Sequence, residues 1–204
     1  MVRVKICGIT DISSALTAAE AGADAVGFIF APSPRRITPS QACRICRELP
    51  PFITRVGVFV DAPLEEVRAV AEYCGLDAIQ LHGSESPDYC RSLGRRVIKA
   101  FRVGDEIDPA ELSDYPADAI LLDTFVAGQK GGTGQPFDWQ LAAGLKLSRP
   151  LILAGGLTPE NVGRAVSIVQ PYGVDVSSGV EKEGQPGKKD PDKIRRFIAA
   201  VKGL

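Results

Sequence analysis

Residues Pro150–Glu181 read PLILAGGLTPENVGRAVSIVQPYGVDVSSGVE, and they set the terms for the whole chain. An apolar run, Leu151–Ala154, stops at Gly155-Gly156. Thr158-Pro159-Glu160 follows with the form of a helix start, a cap residue and then Pro at the first helical position. A second short run, Gly173–Val176, stops at Ser177-Ser178-Gly179. Two neighbouring strand ends thereby offer small residues, backbone N–H groups and hydroxyls at one rim. Such an end can hold a phosphate without Lys or Arg, because amides and the positive end of a helix point at the anion. The plainer reading of Gly155-Gly156 is a tight turn.

The same rhythm extends to both sides. Val2–Ile6 reads as a strand leading into Cys7-Gly8-Ile9-Thr10-Asp11, where Thr10 or Asp11 can cap a helix from Ile12 to Ala21. Ala25–Phe30 is an unbroken apolar run, the pattern of a parallel strand covered on both faces. Further strands are expected at Arg55–Val60, Ala78–Leu81, Arg96–Phe101 and Ala119–Leu122, the last closed by Asp123. Helices are expected at Pro39–Leu49, after an Asp61 cap, at Pro87–Leu93, Pro109–Asp114 and Phe137–Leu145, and from Asp190-Pro191 onward, with Ile194, Phe197, Ile198 and Val201 on one face. Alternation of this kind requires parallel strands with right-handed crossovers. Eight units in 204 residues favour a closed α/β (β/α)8 TIM barrel over an open Rossmann sheet. The first strand–helix turn, CGITD, also lacks GxGxxG. The expectation is one catalytic domain over residues 1–204.

Composition narrows the function. A net charge of −1 offers no electrostatic footprint for nucleic acid or an anionic membrane. No apolar run nears the ~20 residues needed to span a bilayer, and the N-terminus does not read as a signal peptide. Five cysteines, an odd number placed mostly in strand and helix patterns, suit reduced thiols in the cytoplasm. A single His argues against a His-based metal site. Cys43-x-x-Cys46 lies within one helix pattern and has no second pair, so it falls short of a zinc site.

In such a barrel the chemistry sits at the carboxyl ends of the strands. Cys7, Arg36, His82, Asp123, Asp175, Ser177 and Ser178 all stand there. Cys7 is either a small buried hydrophobe or a base whose thiolate needs a lowered pKa or forms only on substrate binding. Asp123 is either a loop cap or an acid, the second requiring a partly apolar surrounding. Arg36 could clamp a carboxylate bidentately, whereas Arg35 reads as a surface residue. His82 reads first as a structural hydrogen-bonder and Asp61 as a helix cap. The glycine-rich GQKGGTG, Gly128–Gly134, is no P-loop; beside Asp123 it reads as a lid.

Taken together, KICGIT (Lys5–Thr10), GFIFAPSPRRIT (Gly27–Thr38), VGVFV (Val56–Val60), IQLHG (Ile79–Gly83), LLDT (Leu121–Thr124), GGTGQPFDW (Gly131–Trp139), LAGGLTPENV (Leu153–Val162) and GVDVSSGVE (Gly173–Glu181) resemble the phosphoribosylanthranilate isomerases of tryptophan biosynthesis over essentially the whole chain. The resemblance implies an Amadori rearrangement of N-(5′-phosphoribosyl)anthranilate, with Asp123 as general acid and Cys7 as general base. It implies Arg36 on the anthranilate carboxylate and the phosphate at the amides of Gly155, Gly156, Ser177, Ser178 and Gly179; His82 and Asp175, by their place at the same rim, are further candidates for substrate binding. It implies no metal or organic cofactor, a phosphosugar–anthranilate substrate as the partner, and a monomer or homodimer. The competing expectations are a barrel acting on a different phosphosugar and a non-catalytic phosphate sensor. The first would use carboxylates or Lys on other strands, and the second would lack Cys7 or Asp123.

Overall fold

The computed structural model describes residues 1–103, 108–124 and 139–203. Eight strands run in chain order: β1 Arg3–Cys7, β2 Ala25–Ile29, β3 Thr54–Phe59, β4 Ala78–Leu81, β5 Arg96–Val103, β6 Ala119–Thr124, β7 Leu151–Leu153 and β8 Gly173–Val176. Each pairs in parallel with the next, and β8 closes on β1 through Arg3↔Gly173 to Ile6↔Val176. The expected closed barrel is therefore what forms.

Helices cover the outside: α1 Ile12–Glu20, α2 Pro39–Glu48, α3 Leu64–Cys74, α4 Pro87–Ser92, α5 Pro109–Asp114, α6 Val162–Val169 and α7 Pro191–Lys202. Their starts follow from local chemistry. Asp11 accepts from Ser14 N at α1, and Thr38 and Gln41 bond reciprocally at α2, with Pro39 at the first helical position. Asp190 accepts from Asp192 N and Lys193 N at α7. The buried stripe of α7 is Ile194, Phe197, Ile198 and Val201, as the periodicity requires.

Three expectations fail, each for a local reason. The helix expected from Pro159 starts at Val162, because Thr158 and Asn161 close a separate turn first: Asn161 Oδ1 accepts from Thr158 N, and Thr158 Oγ1 accepts from Glu160 N. Asp61 does not cap α3, whose N-cap is Pro63 without a side-chain bond. Its carboxylate instead accepts from Ser84 N, tying the end of β3 to the end of β4. The helix expected over Phe137–Leu145 amounts, in its described part, to a 3-10 turn at Trp139–Leu141, and Gly144 then takes a positive φ of 84°. The stretch Gly128–Gly134 lies outside the described residues.

Side chains alternate between two cores. Those facing out meet the helices; those facing in fill the lumen. Ile98 and Ala100, Ala119 and Leu121, and Ile152 and Ala154 form the apolar lumen layer on the β5–β7 side. The same parity carries Lys5 and Cys7 inward on β1, Gln80 on β4 and Asp175 on β8. It also aims Asp123, two residues past Leu121, at the carboxyl rim. Among the described residues no helix is long and apolar enough to cross a membrane.

Candidate active site

A cavity of about 260 Å³ opens at the carboxyl ends of the strands. Cys7 from β1, Gln80 and His82 from β4 and its end, Asp123 from β6 and Asp175 from β8 line it, with Gly155-Gly156 and Ser177-Ser178 along one side. β6 runs two residues further than the sequence suggests, so Asp123 is held within a strand paired to Arg102 rather than in a loop. Cys7 has room because its β2 neighbour is Gly27: a Cβ there would stand 2.7 Å from Cys7 Sγ and 3.1 Å from Lys5 Cε.

Beneath the cavity is a polar layer. Lys5 Nζ donates to Asp175 Oδ2 at 2.8 Å and to Gln80 Oε1 at 2.9 Å. Gln80 Nε2 stands 3.0 Å from His82 Nδ1, and His82 Nε2 stands 3.2 Å from Asp123 Oδ2. Lys5, Gln80 and Asp175 are all buried. Asp175 lines the cavity, and among the described residues its buried Oδ1 has no hydrogen-bond partner.

A second polar cluster braces the β8 end. Arg35 Nε and Nη2 donate to the two Glu181 carboxylate oxygens at 2.7 and 2.9 Å. Lys189 Nζ donates to Glu181 Oε1 at 3.2 Å and to Ser177 O at 3.0 Å. Ser177 Oγ donates to the Cys7 carbonyl at 3.2 Å, joining this cluster to β1. The surface reading of Arg35 is thus wrong. The guanidinium is half-buried in a bidentate pair and lines the cavity. Arg36, by contrast, is exposed on the rim, held through a main-chain bridge to Ile29, and is not among the lining residues.

The two glycine-bearing loops meet closely. Gly155 and Gly156 have φ of 83° and 63°, values that L side chains rarely adopt. A Cβ on Gly179 would lie 1.9 Å from the Leu157 carbonyl oxygen, so only glycine lets the β8 loop pack on the β7 loop.

Charge at the site departs from one expectation. Burial pushes the Cys7 thiol pKa up; the Lys5 and Lys189 ammonium groups pull it down and Asp175 pushes it up, and the net shift is upward. The balance of these groups runs against a lowered pKa and leaves the other expectation, a thiolate formed on substrate binding. Burial opposes the charge on Lys5, but Asp175 and Cys7 outweigh it and raise its pKa. Burial likewise opposes the Glu181 carboxylate, which Arg35 and Lys189 hold below the usual range. Lys189 is lowered, chiefly by burial. All five cysteines are free and buried, and Cys46 and Cys74 are pushed up to about 12 and about 11 by burial first of all. Among the described residues no group of three His, Cys, Asp or Glu side chains could hold a metal ion.

Sequence reasoning missed Lys5, Gln80, Glu181 and Lys189. For the first two a signal existed: each is polar, sits inside an apolar strand, and lies two residues before a rim candidate, hence on the same face.

The arrangement suits acid–base chemistry on a small anionic ligand. Comparison with known proteins agrees. A family model described as N-(5′phosphoribosyl)anthranilate (PRA) isomerase matches residues 4–200. The N-(5′-phosphoribosyl)anthranilate isomerase of Desulforamulus reducens is 56% identical over 202 residues, spanning 99% of this chain and 96% of its own. The crystal structure of phosphoribosyl anthranilate isomerase from Thermotoga maritima superposes with a TM-score of 0.92 at 50% identity, covering both chains fully. A further isomerase structure, in complex with reduced 1-(o-carboxyphenylamino)-1-deoxyribulose 5-phosphate, gives a TM-score of 0.88 at 49% identity, again over all of both chains.

Proposed function

Because the chain belongs to the N-(5′-phosphoribosyl)anthranilate isomerase family, we propose that Cys7 and Asp123 are the general base and general acid of its reaction. The chain is an isomerase of tryptophan biosynthesis that converts N-(5′-phosphoribosyl)anthranilate to 1-(2-carboxyphenylamino)-1-deoxyribulose 5-phosphate. The observation that carries the assignment of roles is that Cys7 and Asp123, from strands one and six, line one cavity with the β7 and β8 loops.

The phosphate binds the main-chain amides around Gly155, Gly156, Ser177, Ser178 and Gly179, and this anchors the ribose over the lumen. Asp123 gives its proton to the furanose ring oxygen, the C1′–O bond breaks, and an open-chain iminium forms. The Cys7 thiolate then takes the proton from C2′, and the released electron pair makes the C1′–C2′ double bond of an enolamine. Tautomerisation yields the aminoketone. The raised thiol pKa favours a thiolate that forms only with substrate present, its proton released to solvent water, and that is steadied by Lys5 and Lys189. Arg36, exposed on the β2 rim, takes the anthranilate carboxylate. Asp175 Oδ1 accepts from a ribose hydroxyl, a role supported by its buried, unpartnered oxygen. His82 supports the substrate side of Asp123 through their hydrogen bond. The five free, buried cysteines support a cytoplasmic location.

The test follows the loss of anthranilate-type fluorescence in freshly made substrate, with a spontaneous-decay control. Cys7→Ser and Asp123→Asn should each keep the fold and lose roughly 10²- to 10⁴-fold in kcat. Turnover like wild type in either variant removes that residue from its role.

A further inference from the structure

We propose that Gln80 is a positioning residue that fixes the tautomer of His82 and so sets which oxygen of Asp123 carries the acid proton. The proposal rests on the reading of Asp123 as general acid. It starts from Lys5. An ammonium group only donates, so the Gln80 atom 2.9 Å from Lys5 Nζ must be the carbonyl oxygen. That sets the amide orientation and turns Nε2, a donor, toward His82 Nδ1 at 3.0 Å. Nδ1 must then be the lone-pair nitrogen, and the ring proton lies on Nε2, 3.2 Å from Asp123 Oδ2. With Oδ2 accepting from the imidazole, the proton that Asp123 donates to substrate sits on Oδ1.

The same contact opposes transfer of that proton to His82. An imidazolium would set Nδ1–H against the Gln80 amide N–H, donor against donor, in a place where Gln80 is 1% exposed and cannot turn away from Lys5 without breaking that bond. The charged groups that share the space around His82 are Asp123 on β6, Lys99 and Arg102 on β5, Asp61 at the end of β3, and Asp108 and Glu111 at α5. Lys5 and Asp175 lie behind Gln80. Both ring nitrogens are already taken, by Gln80 and Asp123, so the tautomer is set by the neutral amide.

His82 is the one histidine of the chain, so its ring nitrogens can be read by ¹⁵N NMR without assignment in protein freed of any purification tag. In the wild-type chain at pH 7.5 the expected spectrum has Nε2 protonated and Nδ1 bare. Gln80→Glu keeps the acceptor for Lys5 but accepts from Nδ1–H, so both His82 nitrogens should carry protons and kcat should fall about 100-fold, the size of a general-acid contribution, with KM within about threefold, a free-energy change under 1 kcal/mol. Gln80→Met, of similar volume, should give a mixture of tautomers and an intermediate kcat. Protonated Nδ1 in the wild-type chain overturns the proposal, as does a Gln80→Glu chain whose His82 spectrum is unchanged, or one with protonated His82 and undiminished kcat. Failure of the acid assignment is separate: Asp123→Asn would then turn over normally while the His82 spectrum still showed the Nε2–H form.

Discussion

Lys5 Nζ lies 2.8 Å from Asp175 Oδ2 in the centre of the barrel, with the two side chains only 6% and 8% exposed. The pair joins β1 to β8 at the seam where the sheet closes, and it forms the base on which the candidate site rests. A buried pair of this kind is weak evidence of net stability, since desolvation offsets much of the attraction. Losing one partner is another matter. Lys5→Met should cost about 3–5 kcal/mol, because it strands the Asp175 carboxylate without a counter-charge. Adding Asp175→Asn should recover part of that loss. Urea midpoints of the two single variants and the double variant measure the coupling, and strictly additive effects would show that the pair carries none.

Gly179 is the second point where geometry forces an outcome. Its missing side chain lets the β8 loop rest on the Leu157 carbonyl, and an added Cβ would come within 1.9 Å of that oxygen. Because the clash is with main chain, the loops must part. Gly179→Ala should lower stability by about 1–3 kcal/mol, as overpacking does. If the phosphate binds between these loops, KM and the inhibition constant of inorganic phosphate should both rise about tenfold, equivalent to ~1.4 kcal/mol, while kcat changes less. Unchanged phosphate inhibition would move the anion elsewhere.

The barrel was readable because each strand is a short apolar run ended by a small or polar residue, a local pattern that needs no partner to be seen. Cys7, His82 and Asp123 stood out for the same reason: they close such runs. The pairings behind them did not. Lys5 and Asp175 are 170 residues apart and Arg35 and Glu181 are 146 apart, so only closure of the sheet brings each pair together. Arg35 and Arg36 show the limit plainly. Adjacent in sequence and alike in chemistry, they diverge because one turns under the loop to Glu181 while the other stays in solvent. Asp61 fails for a related reason: its φ of 50° points the chain away from a capping geometry, and a neighbouring loop supplies the donor instead.

At the opposite end of the barrel, Asp24 gathers Arg3 Nη1 at 2.7 Å, Lys202 Nζ at 2.6 Å and the Val4 N–H at 2.8 Å. Burial works against its carboxylate, but these donors win and hold its pKa below the ordinary value. The folded chain thus binds that proton less readily than the unfolded chain does. The resulting stabilisation is complete above the unfolded pKa near ~4 and is lost as pH falls through the lower folded value. Asp24→Asn should cost about 1 kcal/mol at pH 7, a modest amount because water screens the exposed Arg3. The gap should narrow as pH falls below the unfolded value and through the lower folded one. Denaturation midpoints at pH 7, 5 and 3 test this, and a gap independent of pH would refute it. Activity should not change, since Asp24 precedes β2 at the end of the barrel away from the cavity.

Cys7 yields the prediction that bears most directly on mechanism. Its thiol is pushed above the ordinary range, first by burial and despite Lys5 and Lys189. Only the thiolate is alkylated, and below the pKa its population rises about tenfold per pH unit. In the unliganded enzyme, iodoacetamide should therefore label Cys7 more slowly than free cysteine at pH 7, with a rate still climbing past pH 9. Peptide mass mapping separates it from Cys43, Cys46, Cys74 and Cys90. Replacing Lys189 with Met removes one of the two nearby positive charges while leaving Lys5 in place. The labelling rate should then fall further at every pH, and kcat should fall with it. A Cys7 that reacts fully and at a constant rate from pH 6 upward would mean a standing thiolate, and the transient-thiolate step would have to be abandoned.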